Sequence, residues 1–155
     1  MLFDGINDYV RVLDAPALNF GVDQEFTASF WIKGIAGTPI DKRGNVGFQV
    51  QNTLFRIDEG AANIDVSYVS NPLNNQWHFI SAIRSFSAVS LYVDGALDNS
   101  VSDSTLANLT DPENLFIGCL TPCVSGPFNG LIDDVRFYNR ALAFSEIKAI
   151  YEATK

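Results

Sequence analysis

Short apolar runs with a period of two, each bounded by turn residues, constrain this chain more than any other feature. Phe26, Ala28, Phe30 and Ile32 alternate with Thr27, Ser29, Trp31 and Lys33. Successive side chains of an extended strand point to opposite faces, so this run reads as a strand with one buried face. Trp77, Phe79, Ser81 and Ile83 alternate in the same way with His78, Ile80, Ala82 and Arg84. Val89, Leu91 and Val93 form the apolar side of the next run, which ends in Asp94-Gly95. That dipeptide accepts the positive φ angles of a tight hairpin, so residues 96–102 are expected to return antiparallel. Further runs at 9–12, 47–51, 53–58, 64–68, 115–119 and 131–138 fill much of the remainder. Many short strands without βαβ alternation predict an all-β sandwich of two antiparallel sheets. The exception is 145–151, where Ile147, Ile150 and Tyr151 stand at i, i+3 and i+4 behind a capping Ser145. One or two turns of helix are expected there.

Composition agrees with that reading. Of 155 residues, 47 % are hydrophobic and only 18 % charged, which suits one globular domain over residues 1–155 and excludes a disordered chain. Twelve Phe against one Met favour pleated surfaces, where aromatic bulk at Cβ packs well. The formal net charge of −8, with no Lys/Arg cluster, argues against nucleic acid, whose phosphates need cations to displace their counterions. It argues equally against anionic membrane surfaces, and no apolar run is long enough for insertion into a bilayer. No charged segment followed by an apolar one opens the chain, so no signal peptide is visible. Cys119 and Cys123 are separated by three residues in a Pro/Gly-rich stretch. Two thiols cannot complete a tetrahedral zinc site. They read as a loop-stapling disulfide, which places the chain in an oxidising, extracellular or cell-surface setting, with reduced packed thiols as the alternative.

Three stretches together resemble the laminin-G-like, concanavalin A-like lectin/glucanase family. Leu2-Phe3-Asp4-Gly5-Ile6-Asn7-Asp8-Tyr9-Val10 is similar to the family's opening strand. Gln76-Trp77-His78-Phe79 through Leu91-Tyr92-Val93-Asp94-Gly95 is similar to its central hairpin. The most specific stretch is Phe128-Asn129-Gly130-Leu131-Ile132-Asp133-Asp134-Val135-Arg136-Phe137-Tyr138, continued by Asn139-Arg140-Ala141-Leu142. The resemblance implies a jelly-roll sandwich closed by a short C-terminal helix, with Ala143 where the family often has a helix-capping Ser. It does not by itself assign a function, because the same sandwich carries lectins, adhesion modules and some hydrolases.

The resemblance also implies one structural calcium near the chain ends. Calcium takes about six to eight oxygen ligands. Asp4 and Asp133 are the expected carboxylates, with Gly5, Asn7, Asp8 and Asp134 as weaker candidates. Strict alternation puts Asp133 on the apolar face with Leu131, Val135 and Phe137, and Asp134 on the other with Arg136. Sugar binding by stacked aromatics and amide or carboxylate acceptors nominates Asn45, Tyr68, Asn74, Tyr92 and Phe128, in or beside the loops 41–45, 70–75 and 119–128. The sole histidine, His78, lacks a nucleophile motif and reads as structural. The paired carboxylates of a glycosidase are not evident, since Asp133 and Asp134 alternate across the strand. The expected function is therefore a non-catalytic carbohydrate-binding module. A protein-binding or adhesive domain, and then a polysaccharide lyase or glycoside hydrolase, are the alternatives.

Overall fold

The computed structural model of the protein describes every residue except Ser104, Leu106 and Val124. Among the described residues are twelve strands: β1 (Leu2–Asp4), β2 (Val10–Val12), β3 (Phe26–Ala36), β4 (Ile40–Arg43), β5 (Gly47–Val50), β6 (Leu54–Asp58), β7 (Asn63–Ser67), β8 (His78–Arg84), β9 (Ala88–Val93), β10 (Ala96–Ser102), β11 (Leu115–Ile117) and β12 (Asn129–Tyr138). One helix, α1 (Phe144–Thr154), follows them. Two six-stranded sheets have the orders β1-β12-β3-β8-β9-β10 and β2-β11-β4-β5-β6-β7. All pairings are antiparallel. The two-sheet sandwich read from the alternation is the architecture found.

The main core lies between the sheets. Phe26, Phe30, Ile32, Ile80, Leu91 and Ile132 enter it from the first sheet, and Phe48, Val50, Phe55, Ile57 and Val66 from the second. Its densest part is aromatic: Phe20 stacks on Phe26 at 4.2 Å, and Phe48 lies 4.8 Å from Phe26. The abundance of Phe is thus spent on filling the space between two pleated faces.

A second, smaller core sits on the outer face of the first sheet. Phe79 and Ile83 of β8 turn away from the main core and meet Leu142 and Ile147, with Trp31, Tyr92, Tyr138 and Tyr151 packed around them. The covering element is α1, which is longer than the one or two turns read from the sequence. Ser145 lies inside the helix, and Ala143 holds the N-cap position. Ala143 has no side-chain acceptor, so Glu146 reaches back and accepts the Ala143 N–H at 2.9 Å. Arg140 donates to both Glu146 oxygens at 2.7 Å.

The Arg140 hydrogen bonds, and then the Ala143 N–H, hold the Glu146 carboxyl down at about 2, from an ordinary 4.5. A depressed carboxyl contributes stability that is complete above its unfolded value and lost as pH falls through the folded one. The clamp on α1 should therefore weaken between about pH 4.5 and 2. Glu146→Gln is expected to destabilise the helix cap at neutral pH, and its difference from the parent protein should vanish near pH 2. The emission of Trp31, which touches Tyr151 of α1 at 5.8 Å, reports the change.

The hairpin at Asp94-Gly95 forms as expected, with φ angles of 51° and 77°. Gly95 also lies against α1, since a Cβ there would stand 3.1 Å from the Tyr151 ring. Gly130 explains its place in the motif: at φ 150° its missing Cβ would be 2.2 Å from the Lys33 carbonyl. Here β12 passes β3 too closely for any side chain. Residues 41–43, read from the sequence as loop, belong to β4. Cys119 and Cys123 are joined as a disulfide, with their Cα atoms 5.2 Å apart. The bridged loop folds over the outer face of the second sheet, where the Thr121 N–H donates to Asp41 at 2.7 Å. Burial raises the Asp41 carboxyl above its ordinary range, against the pull of Thr121 and Arg43.

Candidate functional site

The place where polar and aromatic groups converge is the outer face of the first sheet, beside the C-terminal end of α1. An open cavity of about 790 Å³ is lined there by Trp31, Trp77, Tyr151, Asp133, Asp134 and, at its end, Thr154-Lys155. They come from four parts of the fold: β3, the residue before β8, β12 and the end of α1. Trp31 stands on the outer side of β3, opposite Phe79 on β8 and Asp133 on β12. Its ring lies 5.5 Å from Phe79 and 5.8 Å from Tyr151, and its indole N–H donates to Thr154 Oγ1 at 3.0 Å. Trp77 precedes β8 and is 43 % exposed, which leaves its ring available to a ligand.

The two carboxylates reach this face because β12 breaks its alternation. The register with β3 slips between Asp133 and Arg136, and Asp134 takes a φ of 50°, the left-handed region that a non-glycine residue seldom adopts. Such a bulge inserts one residue and re-aims those around it. Ile132 faces the main core, Asp133 and Asp134 both face the cavity, and Val135 and Phe137 return to the core. This corrects the strict alternation, which put Asp133 with Val135 and Phe137 and sent Asp134 to the opposite side. Asp134 is clamped by Arg136, whose Nε and second guanidinium nitrogen donate to it at 2.8 and 2.6 Å. One Asp133 oxygen accepts the Asp134 N–H at 2.9 Å.

Asp4 and Asp133 are not brought together. Asp4 is paired with Asn129, four positions along β12 from Asp133, or about 13 Å at the rise of an extended strand. Asp4 shapes its own turn instead, accepting the Ile6 N–H at 2.8 Å and, more weakly, that of Asn7, while Asp8 accepts the Asp4 N–H at 3.1 Å. Gly5, at φ 78°, turns the chain beside Asn129. No cluster of three or more acidic, histidine or cysteine ligands occurs among the described residues. Asp4 and Asp133 therefore do not share one cage, whereas Asp4 and Asp8 stand together in the opening turn.

The loop and aromatic candidates are scattered. Phe128 is fully buried, edge-on to Phe3, and has no surface for a ligand. The Tyr68 ring packs against the main core, and burial, reinforced by Asp98, pushes its hydroxyl well above the ordinary phenol range. Tyr92 packs among the residues under α1, 6.4 Å from Phe144. Asn45 tips the β4–β5 turn, its N–H on Asp111 at 2.9 Å. Asn74 accepts the Gln76 N–H at 2.9 Å and faces His78 Nε2 at 3.2 Å. Val124 of the disulfide loop lies outside the described residues. His78 has its other nitrogen, Nδ1, on Asp94 at 2.8 Å, and Asp94 also accepts the Phe79 N–H. The ring ties the hairpin to the strand, which is a structural task. Sequence reading missed Trp77, Trp31 and Tyr151 as a group. They are distant in sequence, and only the register of β3 with β12 and the docking of α1 unite them.

The sequence matches the family Laminin_G_3, described as the Concanavalin A-like lectin/glucanases superfamily, over residues 4–148. The chain belongs to that superfamily. Solved structures with the same fold include the binding domain of Paraclostridial Mosquitocidal Protein 1, at a TM-score of 0.78 and 20 % identity, covering 98 % of this chain and 42 % of that one. The Botulinum Neurotoxin serotype G binding domain is similar at a TM-score of 0.77 and 16 % identity, again over 98 % and 42 %. The binding domain of Botulinum Neurotoxin DC, solved in complex with SialylT, matches at 0.72 and 16 %, over 95 % and 40 %. This superfamily member thus spans less than half the length of those chains, and at such identities the likeness is one of fold. No curated protein matches its sequence.

Proposed function

We propose that the chain is a non-catalytic carbohydrate-binding module of extracellular or cell-surface proteins, with its sugar site in the cavity between β3, β12 and the end of α1. The observation that carries this reading is the pairing of a half-exposed Trp77 with the Asp133 carboxylate on one cavity wall. A flat aromatic face packs against the C–H face of a pyranose ring, and a carboxylate accepts hydrogen bonds from its hydroxyls. Membership of a superfamily that includes lectins supports it. So do the solved neighbours, which are binding domains, one of them in complex with SialylT. The disulfide supports an oxidising location.

The chemistry of the cavity favours binding over hydrolysis. A glycosidase needs a carboxylic acid able to protonate the leaving oxygen. Both Asp134 oxygens are engaged by Arg136, and His78 is committed to Asp94 and Asn74. The experiment is a glycan array followed by titration calorimetry on the tightest glycan found, with the parent protein and Trp77→Ala. The variant is expected to lose at least about tenfold in affinity, the effect of removing a central aromatic anchor. Because Trp77 is 43 % exposed, its melting temperature should stay within a few degrees of the parent. Binding that survives Trp77→Ala would displace the site from this cavity. No glycan binding at all would leave a protein-adhesion domain as the better reading.

A further inference from the structure

Resting on that reading, we propose that the cavity selects uncharged, hydroxyl-rich sugars and discriminates against acidic ones, such as sialylated or uronic-acid glycans. The polar atoms lining it are mostly spent inside the protein. The Trp31 N–H is given to Thr154, whose hydroxyl donates in turn to the Ile150 carbonyl at 2.8 Å. Both Asp134 oxygens are occupied by Arg136, so that pair presents little net charge to a ligand. Lys155 is paired with Glu152 and lies over the Tyr151 ring, 5.4 Å from its centre. That arm is therefore close to neutral.

What remains is Asp133. One of its oxygens takes the Asp134 N–H, and the carboxylate has no cationic partner among the described residues. Lys33 shares the sheet face but stands opposite Leu131, one step beyond Asp133, and does not line the cavity. An ionised carboxylate only accepts hydrogen bonds, so the group facing it must donate. Pyranose hydroxyls donate. A sialic or uronic carboxylate is a second acceptor of the same sign, and it would sit in a chain whose net charge is already −8. Two unit charges roughly 6 Å apart at an effective dielectric of roughly 40 repel by the equivalent of about tenfold in affinity.

The test uses matched pairs of glycans, each a neutral oligosaccharide and its sialylated derivative, titrated into the parent protein, Asp133→Asn and Trp77→Ala. The neutral member is expected to bind about tenfold tighter than its acidic partner, and the gap should shrink when salt is raised to about 1 M. Asp133→Asn removes the charge while keeping an acceptor, and should narrow the gap to about threefold or less. Sialylated members that bind as tightly as the neutral ones, with both lost in Trp77→Ala, would overturn the selectivity and leave the module reading standing. A gap unchanged in both Asp133→Asn and high salt would show that charge is not its origin, and would also overturn it. Failure of every pair to bind would remove the proposal together with the reading on which it rests.

Discussion

Lys42→Met is expected to lower stability by about 2–4 kcal/mol at neutral pH, measured as a shift of the urea midpoint at constant slope. Lys42 lies on β4, its side chain only 2 % exposed. Its ammonium is surrounded by oxygen: Asp14 Oδ1 at 3.1 Å, Asn19 Oδ1 at 3.3 Å, and the carbonyls of Asp111 and Glu113 at 2.9 Å each. An ammonium has three protons to share among these acceptors. The hydrogen bond from Lys42 is also the largest cause holding the Asp14 carboxyl below its usual range. Methionine keeps the length and apolar packing of the stem, so the loss reports the charge and its hydrogen bonds alone.

Removing one partner of a fully buried pair typically costs about 3–5 kcal/mol. The range here is set lower because the Asp14 side chain is 31 % exposed and water replaces part of what is lost. An internal cation thus fills the oxygen-rich junction between the 14–19 turn and the 111–113 segment. A loss under about 1 kcal/mol in Lys42→Met would mean that these loops hold their geometry without the ammonium.

How much of this was legible in the sequence depended on whether a residue's surroundings were local. The period-two runs of β3, β8 and β9 and the Asp94-Gly95 hairpin were readable because strand alternation and turn chemistry act over a few residues. Strand β4 was not, because Asp41-Lys42-Arg43 looks like a solvated turn. In the fold Lys42 is drawn into an oxygen cage and Asp41 is covered by the Thr121 loop, and both partners are distant in sequence. The face of Asp133 was misread for a related reason. A binary pattern carries no sign of a bulge, and one inserted residue reverses every assignment beyond it. Helix α1 was read as shorter than it is. Its cap is built from Glu146 and Arg140 around an alanine, where sequence rules look for a serine. The cavity was invisible altogether, since Trp31, Trp77, Tyr151 and Asp133 meet only after the sheet has paired and the helix has docked.

The second large effect is expected at Arg84, where replacement by Met should cost about 3–5 kcal/mol. Arg84 closes β8 and is completely buried. Its Nε donates to Asp103 Oδ2 at 3.3 Å, one terminal nitrogen to the Ala107 carbonyl at 2.9 Å, and the other to Glu59 Oε1 at 3.3 Å. Thr105 completes the cluster, its hydroxyl donating to Glu59 at 2.7 Å and its N–H to Asp103 at 2.9 Å. The guanidinium thus pins the long crossing from β10 to β11 onto the end of β8. Without it two carboxylates, one of them fully buried, face each other with no positive charge between them. Arg84→Lys should fall between the parent and the methionine variant, because a point charge on a shorter reach does not serve three acceptors in a fixed fork. Combining Arg84→Met with Asp103→Asn separates charge from packing. Removing the buried negative charge should recover part of the loss seen in Arg84→Met alone. A double variant no more stable than Arg84→Met would assign the effect to the volume of the arginine stem, and the crossing would then be held by shape rather than by its ion cluster.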